Sequence, residues 1–181
     1  MSTVSGEVLG WHYATRRPLQ LSWEDGKITR LEPAAASREL WIAPAILDLQ
    51  VNGYAGIDFQ SDAASAEGLL HAARELNRAG CGQIFLALVT DEWPLLMARL
   101  RRLRELRAAS PELQALIAGW HIEGPFLSSE PGFCGAHDPA LMRDPAPGLI
   151  QELREATARD PVLLTLAPER TGALTAIALA G

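Results

Sequence analysis

The chain has 181 residues, 48% of them apolar and 21% charged, with a net charge of −6. That is enough to bury a core in one domain, or in one domain and a small appendage, and the lack of low-complexity tracts excludes a disordered chain. The acidic balance gives no electrostatic case for nucleic acid or an anionic membrane surface, and two cysteines, Cys81 and Cys134, make neither a disulfide framework nor a zinc spacing. No apolar run approaches the roughly 18 residues of a membrane span, and no export signal opens the chain. A small-molecule partner and a reducing cytoplasm are the expectation.

Residues 1–42 read as short strands over 7–13, 19–23 and 27–31, with Glu24-Asp25-Gly26 as a hairpin turn. So few strands are marginal alone and call for a second layer. From residue 43 strands alternate with helices. The run 42–51 is almost continuously apolar, as suits a strand covered on both faces, with Asp48 and Gln50 as polar exceptions near its end. Asp62 or Ser65 caps a helix to about Ala79, with Leu69, Leu70, Ala73 and Leu76 on one face and Gly80 just past its end.

Residues 84–90 form the next strand, and Asp91 with Pro94 opens a helix whose apolar stripe includes Leu96, Leu100 and Leu103. Arg99, Arg101, Arg102, Arg104 and Arg107 fall between the leucines and read as its wet side. A third apolar run, 113–120, reads as a buried strand leading to Glu123, where Gly124-Pro125 turns the backbone. A helical turn over 138–143, a helix over 147–158, a strand over 162–166 and a helix over 171–179 follow. Four strand–helix units joined by right-handed crossovers give a parallel sheet, either doubly wound or half of a closed barrel. No Gly-rich phosphate fingerprint follows any of the strands, which weakens a nucleotide-binding reading.

A lone carboxylate at the end of a buried strand stands where barrel enzymes build active sites, although a helix cap or an ion pair would also place one there. His121, two residues before Glu123, shares its strand side by period-two alternation. His12 and His71 read as structural, and Cys134 as a small filler near the loop.

Four blocks carry a resemblance. Pro44-Ala45-Ile46-Leu47-Asp48-Leu49-Gln50-Val51-Asn52-Gly53, Gly119-Trp120-His121-Ile122-Glu123-Gly124-Pro125-Phe126-Leu127, Gly135-Ala136-His137-Asp138 and Thr165-Leu166-Ala167-Pro168-Glu169 resemble, in order and spacing, the N-acetylglucosamine-6-phosphate deacetylases of the amidohydrolase superfamily. The resemblance implies an α/β fold, the N-terminal half of a metal-dependent-hydrolase (β/α)8 TIM barrel (43–181) preceded by part of a small β-sandwich (1–42). It implies hydrolysis of the 2-acetamido group of N-acetylglucosamine 6-phosphate in amino-sugar catabolism, in an enzyme that is a homodimer at full length.

Under the same resemblance Glu123 is the metal ligand, and Ala136 and His137 contact the sugar. Gln50 and Asn52 occupy the places of a His-x-His pair, and with His121 they are supporting or vestigial metal positions. Amides are poor ligands beside imidazole, so one divalent ion is expected, zinc first, with iron, manganese or cobalt as alternatives. Two metal-binding histidines and the Asp acting as general acid and base would lie beyond Gly181. The chain therefore reads as the first half of a longer enzyme or a gene remnant, inactive alone. A non-catalytic half-barrel module needing a partner chain is the alternative. So is another amidohydrolase, such as a dihydroorotase-like or isoaspartyl-dipeptidase-like enzyme, although Gln50-Val51-Asn52 argues against both.

Overall fold

The structure, a computed structural model, describes residues 4–35, 39–158 and 160–180. The chain divides into two compact units that meet in sequence at Pro44 and Ala45.

The first unit is one four-stranded sheet. β1 (Ser5–His12), β2 (Pro18–Glu24) and β3 (Lys27–Pro33) form an antiparallel meander, and β4 (Trp41–Ile42) adds to β1 in parallel, giving the order β3-β2-β1-β4. Asp25 and Gly26 turn between β2 and β3 with φ of 49° and 74°, the doubly left-handed geometry that matches strand twist in a two-residue hairpin. β4 corrects the sequence reading of 42–51 as one strand. Ala43 and Pro44 interrupt it, because proline supplies no ladder N–H and restricts the residue before it.

The second unit is a parallel sheet of β5 (Ile46–Val51), β8 (Cys81–Val89), β9 (Ile117–Glu123) and β10 (Val162–Thr165), in the order β10-β9-β8-β5. After β5 comes a small hairpin, β6 (Gly53–Tyr54) and β7 (Ile57–Asp58), and then α1 (Ala66–Arg78), α2 (Trp93–Ala108), α3 (Pro111–Leu116), α4 (Pro147–Thr157) and α5 (Ala173–Ala180) complete the unit. Ser65 caps α1 through the Gly68 N–H at 3.1 Å. Among the described residues no helix is long and apolar enough to cross a membrane.

The core lies between the central strands and the helices: Ile84, Leu86 and Leu88 of β8 and Trp120 and Ile122 of β9 pack with Leu69, Leu100 and Ile150 of the helices. The edge strands differ from the sequence reading, which has every strand covered on both faces. Ile46, Leu47 and Leu49 of β5 and Val162 and Leu163 of β10 are exposed, because each strand has a ladder partner on one side only.

Two further expectations are corrected. The run 113–120 is a helix and then a strand: Ser110 caps α3 with Pro111 in its first turn, Leu113 and Leu116 turn into the core, and β9 begins only at Ile117. The arginines of α2 are not simply a wet face. Arg99 pairs with Asp62 at 2.8 Å and with Asp91, Arg102 bonds the carbonyls of Asp62 and Ala64, and only Arg101 is classed as exposed. Helical spacing places these side chains beside the leucines, but their reach lets them tie down the segment before α1.

Arg104 and Arg107 converge on Asp160 at 3.2 and 3.0 Å, and the same carboxylate oxygen accepts from the Trp120 indole at 2.9 Å. Burial pushes the Asp160 carboxyl up, but the Trp120 bond and the Arg107 and Arg104 guanidiniums outweigh it and hold the group below its ordinary value. A depressed carboxylate contributes stability that is present above its unfolded value near 3.9 and lost as pH falls through its folded value. Asp160→Asn is therefore expected to lower the urea midpoint at pH 7, with the gap to the parent chain narrowing below about pH 4. A gap that stays constant to pH 3 would contradict the ion-pair account.

Candidate active site

The carboxyl ends of β5, β8 and β9 meet at one corner of the parallel sheet. Glu123, the last residue of β9, turns its carboxylate into a cleft of about 620 Å³ that is also lined by Asn52, Asp58, Gln60, Ala136 and His137. The Gln50 side-chain amide donates to Glu123 Oε2 at 2.7 Å across the intervening strand β8. Gln50 is itself set by Asp48, whose Oδ1 accepts from the Gln50 backbone N–H at 3.0 Å where β5 shifts register. Glu123 Oε1 faces His137 Nε2 at 3.8 Å.

His137 arrives on the loop after β9, and Thr90, just past β8, orients it: Nδ1 lies 2.9 Å from Thr90 Oγ1. The Thr90 hydroxyl donates in turn to the Glu123 carbonyl at 3.4 Å. With the hydroxyl used as donor, Nδ1–H donates to Thr90, and neutral His137 carries its lone pair on Nε2 toward Glu123. One carboxylate oxygen and one imidazole nitrogen thus face the same space, the arrangement that receives a cation or a donor group.

Gly124 makes this corner possible. Its φ is +92°, and a Cβ there would stand 2.1 Å from Thr90 Oγ1. Gly124→Ala is expected to destabilise the chain by about 2–4 kcal/mol, from a strained backbone and a displaced Thr90. A midpoint shift below about 1 kcal/mol in urea would refute this reading. After Gly124 the loop is pinned to its neighbours: Arg143 N–H donates to the Pro125 carbonyl at 3.0 Å, Ala167 N–H to that of Phe126 at 2.8 Å, and Arg170 to that of Leu127 at 2.7 Å.

The structure brings together Gln50, Asn52, Glu123, Ala136 and His137. His121 stands apart from the cleft. It is buried, Nδ1 donates to the Leu49 carbonyl at 3.1 Å, and Nε2 lies 2.7 Å from Thr165 Oγ1, which can donate to it. Both ring nitrogens are engaged, so His121 ties β5 and β10 to β9 and offers no lone pair to a ligand. Sequence reading missed Thr90 and Gln60. Thr90 carried the same signal as Glu123, a polar residue closing an apolar strand. Gln60, whose side chain accepts from the Val89 N–H at 2.7 Å, has no local signal.

Among the described residues no three His, Cys, Asp or Glu side chains are grouped to hold a metal ion. Glu123 supplies a hard oxygen ligand and His137 an imidazole, but the set is incomplete for a tetrahedral or octahedral ion.

No family model matches the chain. It is 34% identical over 166 residues to an N-acetylgalactosamine-6-phosphate deacetylase of Escherichia coli O157:H7, covering 87% of this chain and 42% of that protein. It is 34% identical over 139 residues to the N-acetylglucosamine-6-phosphate deacetylase of Danio rerio, covering 75% and 33%. The solved N-acetyl-D-glucosamine-6-phosphate deacetylase of Mycobacterium smegmatis, in complex with N-acetyl-D-glucosamine-6-phosphate, superposes with a TM-score of 0.76 at 32% identity, covering 99% of this chain and 47% of that one. The deacetylase of Thermotoga maritima, at 20% identity and a TM-score of 0.79, shares the fold. The chain spans less than half the length of these relatives.

Proposed function

We propose that this relative of the N-acetylglucosamine-6-phosphate deacetylases forms the first four units of an eight-unit metal-dependent hydrolase barrel, and that its site acts on the 2-acetamido group of N-acetylglucosamine 6-phosphate. The observation that carries the reading is the Glu123 carboxylate at the end of β9, one oxygen held by Gln50 and the other facing His137 in an open cleft. Glu123 would hold one divalent ion, zinc first, and further ligands would come from outside the described residues. When bound, such an ion polarises the amide carbonyl and lowers the pKa of a water.

The chain's own residues do the rest of the positioning. Gln50 fixes the carboxylate rotamer through its amide and leaves the other oxygen, Oε1, for a cation. Thr90 holds the His137 ring so that Nε2 points into the cleft, where it can accept from a sugar hydroxyl. Ala136, with no polar side chain, offers only its backbone to the sugar. Asn52 and Gln50, being amides, favour a single ion over a pair.

N-acetylgalactosamine 6-phosphate is the second candidate substrate, because the Escherichia coli relative named for it is as similar as the one from Danio rerio. The test is a chimera in which residues 1–181 replace the matching 47% of the Mycobacterium smegmatis enzyme. Release of acetate from one 6-phosphate sugar, and little from the unphosphorylated sugar, is expected. A folded, zinc-loaded chimera that releases none from either sugar would sink the reading. The 181-residue chain alone is expected to release no acetate and to bind zinc only weakly in a calorimetric titration, since one carboxylate is a poor site.

A further inference from the structure

We propose that Gln60 is a positioning residue for this cleft: it takes the ladder place that β5 leaves open beside β8, holds Thr90, and so decides which nitrogen of His137 faces Glu123. As a statement about the reaction this rests on the deacetylase reading; as a statement about the His137 ring it stands by itself.

A strand end keeps its course only while its backbone N–H and C=O groups have partners. Among the described residues the β5–β8 ladder stops at Val51 and Leu86. The β8–β9 ladder stops at Val89 and Glu123, where Gly124 turns away with φ of +92°. Thr90 therefore follows a strand that has run out of neighbours on both sides. Gln60 fills the gap. Its Oε1 accepts from the Val89 N–H at 2.7 Å, and its Nε2 donates to the Val89 carbonyl at 3.2 Å and to Asp91 Oδ2 at 3.4 Å. One side chain thus grips the residues before and after Thr90.

The Val89 N–H fixes the sense of the amide, since only the oxygen can accept from it, and both amide hydrogens are then spent. Gln60 lines the cleft but keeps no free donor for a ligand. Its own backbone is anchored: Phe59 is buried in the core with its N–H on the Asn52 carbonyl at 3.0 Å, and Asp58 Oδ1 accepts from the Gln60 N–H at 2.9 Å. Arg99 closes the frame by pairing with both Asp62 and Asp91.

The consequence falls on a proton. Thr90 is buried, and its hydroxyl donates to the Glu123 carbonyl, so it accepts from His137 Nδ1. In a neutral imidazole the hydrogen bond made by one nitrogen sets the state of the other. When Thr90 is released by loss of Gln60, Nδ1 loses its fixed acceptor, and Nε2 carries N–H instead of a lone pair part of the time.

The test is nitrogen-15 labelling of the histidines of the 181-residue chain, read by nuclear magnetic resonance at about pH 9, where an ordinary imidazole is neutral. His137 should appear as the Nδ1–H tautomer. Gln60→Met, which keeps the length of the side chain and loses its hydrogen bonds, should give mixed tautomers at His137. His121, set by the Leu49 carbonyl, should keep Nδ1–H and so report an intact sheet. In a Thr90→Val background the tautomers should be mixed already, and Gln60→Met should add nothing. Gln60→Glu accepts from Val89 but donates nothing; it is expected to give the same mixed state, and it decides the question if Gln60→Met does not fold. In the chimera, Gln60→Met should raise KM for the 6-phosphate sugar about tenfold with zinc content kept, the size of one lost hydrogen bond. A chimera that releases no acetate even with Gln60 in place sinks the deacetylase reading and leaves the tautomer to decide this one. A parent His137 protonated on Nε2, a folded Gln60 variant with the parent's spectrum, a further change in the Thr90→Val background, or an unchanged KM in an active chimera would each overturn the proposal.

Discussion

In the chimera with the Mycobacterium smegmatis enzyme, Glu123→Gln is expected to cut acetate release about 1,000-fold while leaving the fold intact. The change keeps size and hydrogen-bonding reach but removes the charge. The Gln50 amide can still donate to an amide oxygen, so the side chain stays placed, whereas a neutral group no longer binds a cation as a carboxylate does. Polarisation of a carbonyl by a bound cation is worth several kcal/mol, and each 1.36 kcal/mol is tenfold in rate, so a loss of about 4 kcal/mol corresponds to three decades. The diagnostic companion is Gln50→Ala, which frees one carboxylate oxygen without touching the charge and should cost far less. Steady-state acetate release and zinc content would be measured together. Full activity in zinc-replete Glu123→Gln would remove Glu123 from the site.

Trp120→Ala is expected to destabilise the α/β unit by about 4–5 kcal/mol, the upper part of the range for aromatic truncation in cores. Trp120 is fully buried in the central strand, and its indole N–H is one of three donors on Asp160. Truncation leaves a cavity and takes a donor from a carboxylate that burial already disfavours. Natural domains hold only about 5–15 kcal/mol in total, so the variant should lie at the edge of unfolding at 25 °C. Trp120→Phe separates the terms: it fills most of the volume and loses the hydrogen bond alone, and should cost about 1–2 kcal/mol. Urea unfolding followed by circular dichroism gives both values, and a Trp120→Ala loss under 2 kcal/mol would show that the core relaxes into the space.

Much of this site was legible in the sequence because its signals are local. An apolar run that ends in Glu123 and is stopped by Gly124-Pro125 places a carboxylate at a strand end whatever surrounds it. The Asp25-Gly26 turn is likewise settled within a few residues, and the cap of α1 is narrowed to Asp62 or Ser65, between which the structure selects Ser65. What could not be read depends on geometry between segments. Nothing near Thr90 in sequence says that it orients a histidine 47 residues later. Period-two alternation put His121 on the side of Glu123, but only the closeness of Leu49 and Thr165 shows that both nitrogens are consumed. The run 113–120 misled because leucines buried by a short helix and residues buried by a strand are equally apolar. The arginines of α2 misled because composition records charge and not reach.

The contacts that build the cleft lie between residues 50 and 137. Gln50, Thr90, Glu123 and His137 sit on β5, β8, β9 and the segments that follow them, while β10 and the loop after it add the Thr165 tie to His121 and the Ala167 and Arg170 anchors to the loop after β9. During synthesis the acidic corner can therefore assemble before β10 has emerged from the ribosome, with the carboxylate already covered on one oxygen by an amide of the same nascent chain. A growing polypeptide that positioned Glu123 late would carry a loose side chain beside bare apolar edges. This one presents a finished corner first, and the later segments arrive to clasp it.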